Sequence, residues 1–138
     1  MIYHGIDIVY VPKFRAIASR CGAFLTELFT AGELNECMGR REPFICLAGR
    51  FAAKEAFLKA LGTGFTASGV FKEIEVISSP SGKPMAQLTG WAGKLANLRK
   101  TASIALSISH SGEYATASVI INTSTNTSDE AGYSKDAG

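Results

Sequence analysis

Residues 49–64 read Gly49-Arg-Phe-Ala-Ala-Lys-Glu-Ala-Phe-Leu-Lys-Ala-Leu-Gly-Thr-Gly64, and we expect the rest of the chain to be arranged around them. Between Arg50 and Leu61 there is no proline and no β-branched residue, and most positions are strong helix formers. Gly62 stands where glycine commonly ends a helix. The stretch therefore predicts a long helix from about Pro43 to Leu61, followed by a glycine-rich turn.

Two faces of this helix are predicted to differ in chemistry. One is apolar and consists of Leu47, Phe51, Leu58 and Leu61. The other combines small residues with two charges, namely Ala48, Ala52, Glu55 and Lys59. Because small residues let a neighbouring element come close, Glu55 would be held against that element, where it suits a metal ligand. The alternative is a solvated pair between Glu55 and Lys59, worth roughly a few tenths of a kcal/mol, and the helix taken alone favours it.

An acid in the first predicted strand changes this balance. Residues 2–9 form a strand-like run, and Asp7 lies in its apolar middle with no basic residue beside it in sequence. A carboxylate there is costly unless it is paired or binds a cation. Mg²⁺ typically takes one or two protein carboxylates, with water and substrate phosphates as its other ligands. Asp7 and Glu55 are therefore the predicted ligands of a shared Mg²⁺ ion.

The other segments indicate short helices and antiparallel strands. Helical patterns are expected near residues 12–22, 24–29, 33–38 and 91–99. Strand patterns cover residues 72–77, 85–89, 103–109 and 114–121, which form two hairpins.

Five short motifs occur in a fixed order: Gly5-Ile-Asp-Ile-Val9, Gly49-Arg-Phe-Ala-Ala-Lys-Glu55, Lys59-Ala-Leu-Gly-Thr-Gly64, Gly82-Lys-Pro84 and Ser107-Ile-Ser-His110. Together they resemble the holo-[acyl-carrier-protein] synthase family, the small 4′-phosphopantetheinyl transferases of bacterial fatty-acid synthesis. The resemblance covers residues 1–121. It implies an α+β fold in which an antiparallel sheet packs against a long central helix. It also implies a homotrimer with active sites between subunits.

The same resemblance implies an activity and a set of site residues. The expected reaction transfers 4′-phosphopantetheine from coenzyme A to a serine of an acidic apo acyl carrier protein, releases 3′,5′-ADP and requires Mg²⁺. The two metal ligands of the family fall on Asp7 and Glu55, and with Lys59 they form the expected catalytic set. Lys59 lies one helical turn after Glu55, within reach of a phosphate bound to the same ion. The expected coenzyme A contacts are Arg50, Lys59, Gly62, Thr63, Gly64, Pro84 and His110.

Some roles stay open at this level. His110 ends a strand at a turn, where it either faces a cleft or caps the turn, and the position alone favours the cap. Arg50 and Lys54 would meet phosphates or an acid. The proton acceptor is a metal-bound water or hydroxide, or a carboxylate. Tyr10 departs from the family, which often carries glutamate there, and a tyrosine does not replace that charge.

A basic helix is expected near the N-terminus. Lys13, Arg15 and Arg20 lie off the apolar stripe of the helix that begins at Pro12. Residues 1–121 carry 13 Lys and Arg against 9 Asp and Glu, a net charge of +4 that favours an acidic partner. The three basic residues are the expected carrier-protein contacts, and an ordinary solvated face is the alternative.

Length and composition indicate one domain, residues 1–121, followed by a polar tail, residues 122–138, that is expected to be disordered. No run reaches about 18 apolar residues and no signal peptide is visible, so we expect a cytoplasmic protein that binds neither membranes nor nucleic acid. Cys21, Cys37 and Cys46 are odd in number, widely spaced and without a CxxC motif. Free, mostly buried thiols are therefore expected, with neither a disulfide frame nor a zinc site.

Two other functions are carried as alternatives. A Mg²⁺-dependent hydrolase of coenzyme A or nucleotides would use the same groups with water as the acceptor. A non-catalytic coenzyme A-binding module is the second, and the joint presence of Asp7, Glu55, Lys59 and His110 argues against it.

Overall fold

A long central helix lies across an antiparallel sheet in the computed structural model, which describes residues 1–63 and 69–124. In chain order the elements are β1 (Ile2–Tyr10), α1 (Val11–Arg20), α2 (Phe24–Leu28), α3 (Ala31–Met38), α4 (Pro43–Ala60), α5 (Val70–Glu73), β2 (Ile74–Ser78), β3 (Pro84–Leu88), α6 (Gly90–Leu98), β4 (Thr101–Ser111) and β5 (Tyr114–Thr123). The main sheet has the strand order β1-β5-β4, and β2 pairs with β3 in a separate hairpin. The α+β fold with a sheet against a long helix is thus confirmed.

The helix α4 begins at a proline and is buried on most sides. Pro43 suits the first helical turn, because its fixed φ is already helical and no N–H is needed there. The α4 residues that are at most 3% exposed include Leu47, Ala48, Ala52, Ala53, Ala56, Phe57 and Leu58. Because α4 runs through the core, its polar side chains need partners there.

Two glycines allow α4 and the sheet to come close. A Cβ on Gly5 would collide with the backbone carbonyl of Ala56, and a Cβ on Gly49 would lie 2.8 Å from Cγ2 of Ile108. Side chains alternate along a strand, so Asp7 shares the inner face of β1 with Gly5. The close approach at Gly5 therefore also brings Asp7 near α4.

The opposite face of the main sheet carries four exposed isoleucines among polar side chains such as His4 and Ser118. Ile2, Ile6 and Ile8 of β1 are 69%, 58% and 64% exposed. Ile120 of β5 pairs with His4 in the register, diagonally between two of these isoleucines, and is 42% exposed. We call this set, Ile2, Ile6, Ile8 and Ile120, the outer sheet patch. Contiguous exposed apolar patches commonly mark interaction surfaces.

The hairpin begins slightly later than the sequence pattern predicts. Residues 70–73 form the helical turn α5, in which Val70 and Phe71 are 3% and 6% exposed, and β2 starts only at Ile74. The alternation of charged and apolar residues at 72–76 fits a strand, but burial of Val70 and Phe71 favours a turn at its start. β2 and β3 then pair antiparallel from Ile74 opposite Leu88 to Ser78 opposite Pro84.

The prediction of free thiols is wrong for two cysteines. Cys37 near the end of α3 and Cys46 in the first turns of α4 form a disulfide with a Cα–Cα distance of 5.5 Å. Cys21 is free, but it is exposed rather than buried. The break at residues 39–42 folds α3 back against α4, and nothing in the spacing of nine residues signals this approach.

The last strand extends beyond residue 121, the predicted end of the domain. β5 ends at Thr123, whose N–H donates to the Met1 carbonyl, so Asn122 and Thr123 belong to the sheet. The remainder of the predicted disordered tail, residues 125–138, lies outside the described residues. Among the residues that the structure describes, no helix is long and apolar enough to cross a membrane.

Candidate active site

Asp7, Glu55 and Lys59 come together where β1 crosses α4. The ammonium of Lys59 donates to Oδ1 of Asp7 at 2.9 Å and to the carbonyl of Ile6 at 3.0 Å. Burial raises the pKa of Glu55, the negative charge of Asp7 raises it further, and Lys59 opposes both. The three residues of the expected catalytic set are therefore neighbours, and the two carboxylates repel each other.

This donor set fits a hard divalent cation. Two carboxylates of like charge stand close together in a partly buried place, and Asp7 is only 16% exposed as a side chain. A cation between them would relieve their repulsion, and Mg²⁺ prefers carboxylate oxygens. Asp7 and Glu55 are the side chains that would hold it.

An apolar depression of about 450 Å³ opens beside these carboxylates. Its lining includes Asp7 and Glu55, the basic Lys13, and the apolar side chains Phe14, Ile17, Phe24 and Phe51. Tyr10 also borders it and donates a hydrogen bond to Oε2 of Glu113 at 3.2 Å. The charge of Glu113 raises the pKa of Tyr10, so a carboxylate does stand next to the position where the family often has glutamate.

A second, basic cavity of about 610 Å³ lies between α4, β4 and the β2–β3 hairpin. Three of the expected coenzyme A contacts, Arg50, Pro84 and His110, line it. Arg40 and Arg41 also line it, and the sequence reasoning did not assign them a role. Two consecutive arginines in a helix break are a signal that could have been used.

Arg50 is held in an unusual state for a cation. It is only 4% exposed, and its Nη2 lies 2.9 Å from Oε1 of Glu36 and 3.4 Å from Oγ of Ser78. Its Nη1 is buried and has no hydrogen-bond partner among the described residues. Hydrogen bonds involving Ser78, Arg50 and Arg40 hold the pKa of Glu36 at about 2, against the effect of burial. Buried polar atoms are normally paired, so the unpaired Nη1 is an unusual feature of this side chain.

Lys54 does not reach either pocket. It is fully buried and paired with Glu33 at 2.7 Å. The sequence left open whether it would meet a phosphate or an acid, and in the structure it meets an acid. Burial lowers the pKa of Lys54, and Glu33 opposes this shift.

The turn after α4 uses its amide groups to end the helix. Gly62 has φ +73°, its N–H donates to the carbonyl of Lys59, and the N–H of Thr63 donates to the carbonyl of Leu58. These two amides therefore cap the helix and are not free for a ligand. Gly64, the third expected contact of this turn, lies outside the described residues.

The two clusters occupy different sides of α4. Glu55 follows Arg50 by five residues, which at about 100° per residue places the side chains roughly 140° apart around the helix. The basic cavity and the apolar depression share no lining residue. The expected coenzyme A contacts are thus divided within one protomer, with Lys59 beside Asp7 and Arg50, Pro84 and His110 in the basic cavity.

The expected carrier-protein contacts are exposed on α1. Lys13 borders the apolar depression. The guanidinium of Arg15 lies 5.5 Å from the ring centroid of Phe44, and Nε of Arg20 donates to the carbonyl of Ala16 at 3.3 Å. Only Lys13 is therefore adjacent to the carboxylate pair.

Known proteins are similar to this chain in both sequence and fold. The model of the 4′-phosphopantetheinyl transferase superfamily matches residues 4–119. Holo-[acyl-carrier-protein] synthases from Desulforudis audaxviator and Halothermothrix orenii are 42% and 44% identical over 117 residues, which cover 84% of this chain and 88% and 93% of theirs. The solved ACPS–CoA complex from Chronobacterium ammoniagenes superposes with a TM-score of 0.79 at 35% identity, covering 91% of this chain and 99% of that one.

These matches define the class of protein and then the group within it. The chain belongs to the 4′-phosphopantetheinyl transferase superfamily and, within it, to the holo-[acyl-carrier-protein] synthase family. The resemblance inferred from the five motifs is confirmed.

Proposed function

We propose that the protein transfers 4′-phosphopantetheine from coenzyme A to a serine hydroxyl of an apo acyl carrier protein, giving the holo carrier and 3′,5′-ADP. The observation that carries this proposal is the convergence of Asp7, Glu55 and Lys59 beside α4. It occurs in a chain 42% and 44% identical to holo-[acyl-carrier-protein] synthases. We further place the reaction in fatty-acid synthesis in the cytoplasm, because the motifs resemble enzymes of that process.

The reaction needs charge to be neutralised at a pyrophosphate. The serine oxygen forms a bond to the phosphorus that carries pantetheine, and the bond from that phosphorus to the bridging oxygen of 3′,5′-ADP breaks. Asp7 and Glu55 would hold Mg²⁺, which supplies Lewis-acid stabilisation of the phosphate oxygens. Lys59 places an ammonium beside Asp7, so it can take up charge on the same phosphates. The proton of the serine hydroxyl would pass to a nearby carboxylate or water.

The basic cavity suits the nucleotide half of coenzyme A. Its volume of about 610 Å³ falls within the usual range for small-molecule sites, roughly 300–1,000 Å³. Arg40, Arg41 and Arg50 would bind the phosphate groups of that half, and His110 lies in the same wall. Bidentate guanidinium groups match phosphate geometry.

We place one complete active site between two subunits of a homotrimer. Within a protomer the carboxylate pair and the basic cavity lie on different sides of α4, so coenzyme A would join the cavity of one subunit to the carboxylates of the next. The outer sheet patch supports this assembly, because four exposed isoleucines on a flat sheet face favour burial against another chain.

The acidic carrier protein would dock on α1. Lys13 and the apolar depression combine a charge with an apolar surface next to Glu55, where the acceptor serine has to arrive. Arg15 and Arg20 would extend the basic surface along the helix and steer the acidic partner.

One incubation separates this function from its alternatives. The protein is mixed with coenzyme A, Mg²⁺ and an apo acyl carrier protein, and the carrier is followed by intact mass spectrometry. We expect the carrier to gain the mass of phosphopantetheine while 3′,5′-ADP is released. Release of 3′,5′-ADP without a carrier would instead identify a hydrolase, and coenzyme A binding without turnover would identify a binding module.

A further inference from the structure

A fully buried ion pair joins α4 to two neighbouring helical segments, α3 and α5. Lys54 of α4 and Glu33 of α3 are both 0% exposed, and Nζ lies 2.7 Å from Oε1. Lys54 also donates to the carbonyl of Phe71 at 2.6 Å and lies 5.2 Å from the ring centroid of Phe29. The ammonium is therefore fixed by an acid, a carbonyl and an aromatic face.

Glu33 also accepts hydrogen bonds from two further segments. Its Oε1 accepts the N–H of Thr30 at 2.9 Å, which closes the capping box at the start of α3. Its Oε2 accepts the N–H of Val76 at 2.9 Å, in the middle of β2. One carboxylate thus binds the start of α3, the side chain from α4 and the edge of β2.

Of these elements α4 and β2 contribute residues to the wall of the basic cavity, and α3 supports that wall from behind. α3 carries Glu36, which holds Arg50. β2 ends at Ser78, and the hairpin that follows contributes Gly82 and Pro84 to the lining. Neither Glu33 nor Lys54 lines the cavity, so neither would touch a ligand there.

We propose that Glu33 and Lys54 are positioning residues that fix the spacing of the cavity walls and hence the affinity for the nucleotide half of coenzyme A. The inference rests on the proposed function, because it takes that nucleotide as the occupant. The pair acts through Arg50 and Ser78, which lie 3.4 Å apart in the cavity wall and belong to the two elements that the pair joins. Coenzyme A affinity would therefore depend on a polar contact that no ligand atom reaches.

The test compares variants of the pair with a matched control. Lys54→Met and the double variant Glu33→Leu/Lys54→Met remove the pair, and the double variant leaves no unpaired charge in the core. Lys94→Met removes a lysine from an exposed position on α6 that lines neither pocket. For each protein, kcat and the KM values for coenzyme A and for the carrier are measured, and 3′,5′-ADP binding is measured by titration calorimetry.

We expect Lys54→Met and the double variant to raise the KM for coenzyme A and the Kd for 3′,5′-ADP by roughly tenfold to a hundredfold. The KM for the carrier should change by less than about twofold, since neither Glu33 nor Lys54 lines the depression. The amide of Val76 should lose protection from hydrogen exchange in the double variant. Lys94→Met should match the parent in every measurement.

Two results would overturn the inference. The first is a double variant that melts like the parent and binds 3′,5′-ADP with the parent's affinity, because the pair would then serve packing alone. The second is an equal rise in KM for both substrates, which indicates general loosening of the structure. A parent protein that binds neither coenzyme A nor 3′,5′-ADP would overturn the proposed function itself, and the inference would fall with it.

Discussion

The carboxylates of Asp7 and Glu55 are the groups on which turnover should depend most directly. Asp7→Asn and Glu55→Gln each remove one anionic ligand with little change in shape. We expect each to lower kcat by roughly 100-fold or more, because the ion contributes several kcal/mol and each 1.36 kcal/mol is about tenfold. If the two act on one ion, the double variant should be little worse than either single variant. Turnover measured against Mg²⁺ concentration checks both statements.

The same two variants should remain folded without metal. The raised pKa of Glu55 means that burial disfavours its charge, so thermal melts in EDTA should show Glu55→Gln at least as stable as the parent. Asp7→Asn loses the contact with Lys59, but that lysine side chain is 54% exposed, so the loss is small. Near-normal turnover of Asp7→Asn, or its unfolding in EDTA while the parent stays folded, would make Asp7 a structural residue instead.

Glu36 should make stability depend on pH in acid. Its pKa is about 2 in the folded protein against a reference of 4.5, so the unfolded chain takes up its proton first as the pH falls. The stabilisation is therefore complete above pH 4.5 and is lost as the pH approaches about 2. Urea unfolding of the parent and of Glu36→Gln should show a difference in unfolding free energy that shrinks across this window. A difference that stays constant with pH would show that Glu36 is not ionised in the paired state.

Single residues were predictable where their local surroundings were chemically unfavourable. Asp7 was found because an acid in an apolar strand needs a partner, and Glu55 because small residues surround it on one helix face. The sequence could not show that Arg50 is buried with an unpaired nitrogen, since this depends on Glu36 and Ser78 from two other elements. Lys54 likewise finds its acid 21 residues away, on a different helix.

At the level of elements, the disulfide between α3 and α4 should contribute measurably to stability. Reduction of Cys37–Cys46, which are separated by nine residues, should lower the unfolding free energy by roughly 2–3 kcal/mol, because the unfolded chain regains the entropy of an open loop. Thiol titration in denaturant should detect one thiol before reduction and three after it. Cys21→Ser is the control and should keep the full response to reductant. Three thiols without reductant would contradict the bond.

The basic surface of α1 should affect one substrate only. Replacing Lys13, Arg15 and Arg20 with alanine should raise the KM for the carrier more than the KM for coenzyme A. The effect should shrink at high salt, because exposed charges are screened beyond about 8–10 Å at ordinary ionic strength. Steady-state kinetics with each substrate at low and high salt measures this. Equal changes in both KM values, independent of salt, would make α1 a scaffold.

Elements whose apolar residues repeat on one face were predicted well. Elements whose structure depends on burial by distant residues were not. The alternation of β4 and β5 is visible in neighbouring residues, whereas α3 was predicted from residue 33 and begins at Ala31. α5 is helical because Val70 and Phe71 are buried by distant parts of the chain, although the sequence after them alternates like a strand. α4 was found from its composition, but its apolar face and its small-residue face do not reveal that Arg50 and Lys54 are buried as well.

At the scale of the whole molecule, assembly is the property least accessible to sequence. The alternation of β1 suggests one buried and one solvated face, yet its outward positions carry isoleucine at 2, 6 and 8. These exposed isoleucines alone do not indicate which partner covers the outer face. Under the proposed function, the division of the site around α4 then favours a second copy of this chain, because the carboxylate pair and the basic cavity lie on different sides of that helix.

Complementation between inactive subunits tests this assembly directly. Asp7→Asn damages the carboxylate side of an interface, and Arg50→Met damages the cavity side. In a cyclic trimer each interface takes one side from each of two subunits, so every mixed trimer keeps one intact interface and should recover about one third of the parent turnover. Co-expression of Asp7→Asn with Glu55→Gln is the matched control, since both changes lie on the same side and no mixture yields an intact site. Activity is measured on mixed trimers purified through two different affinity tags. Failure of the first mixture to exceed the control would show that each site is built within a single subunit.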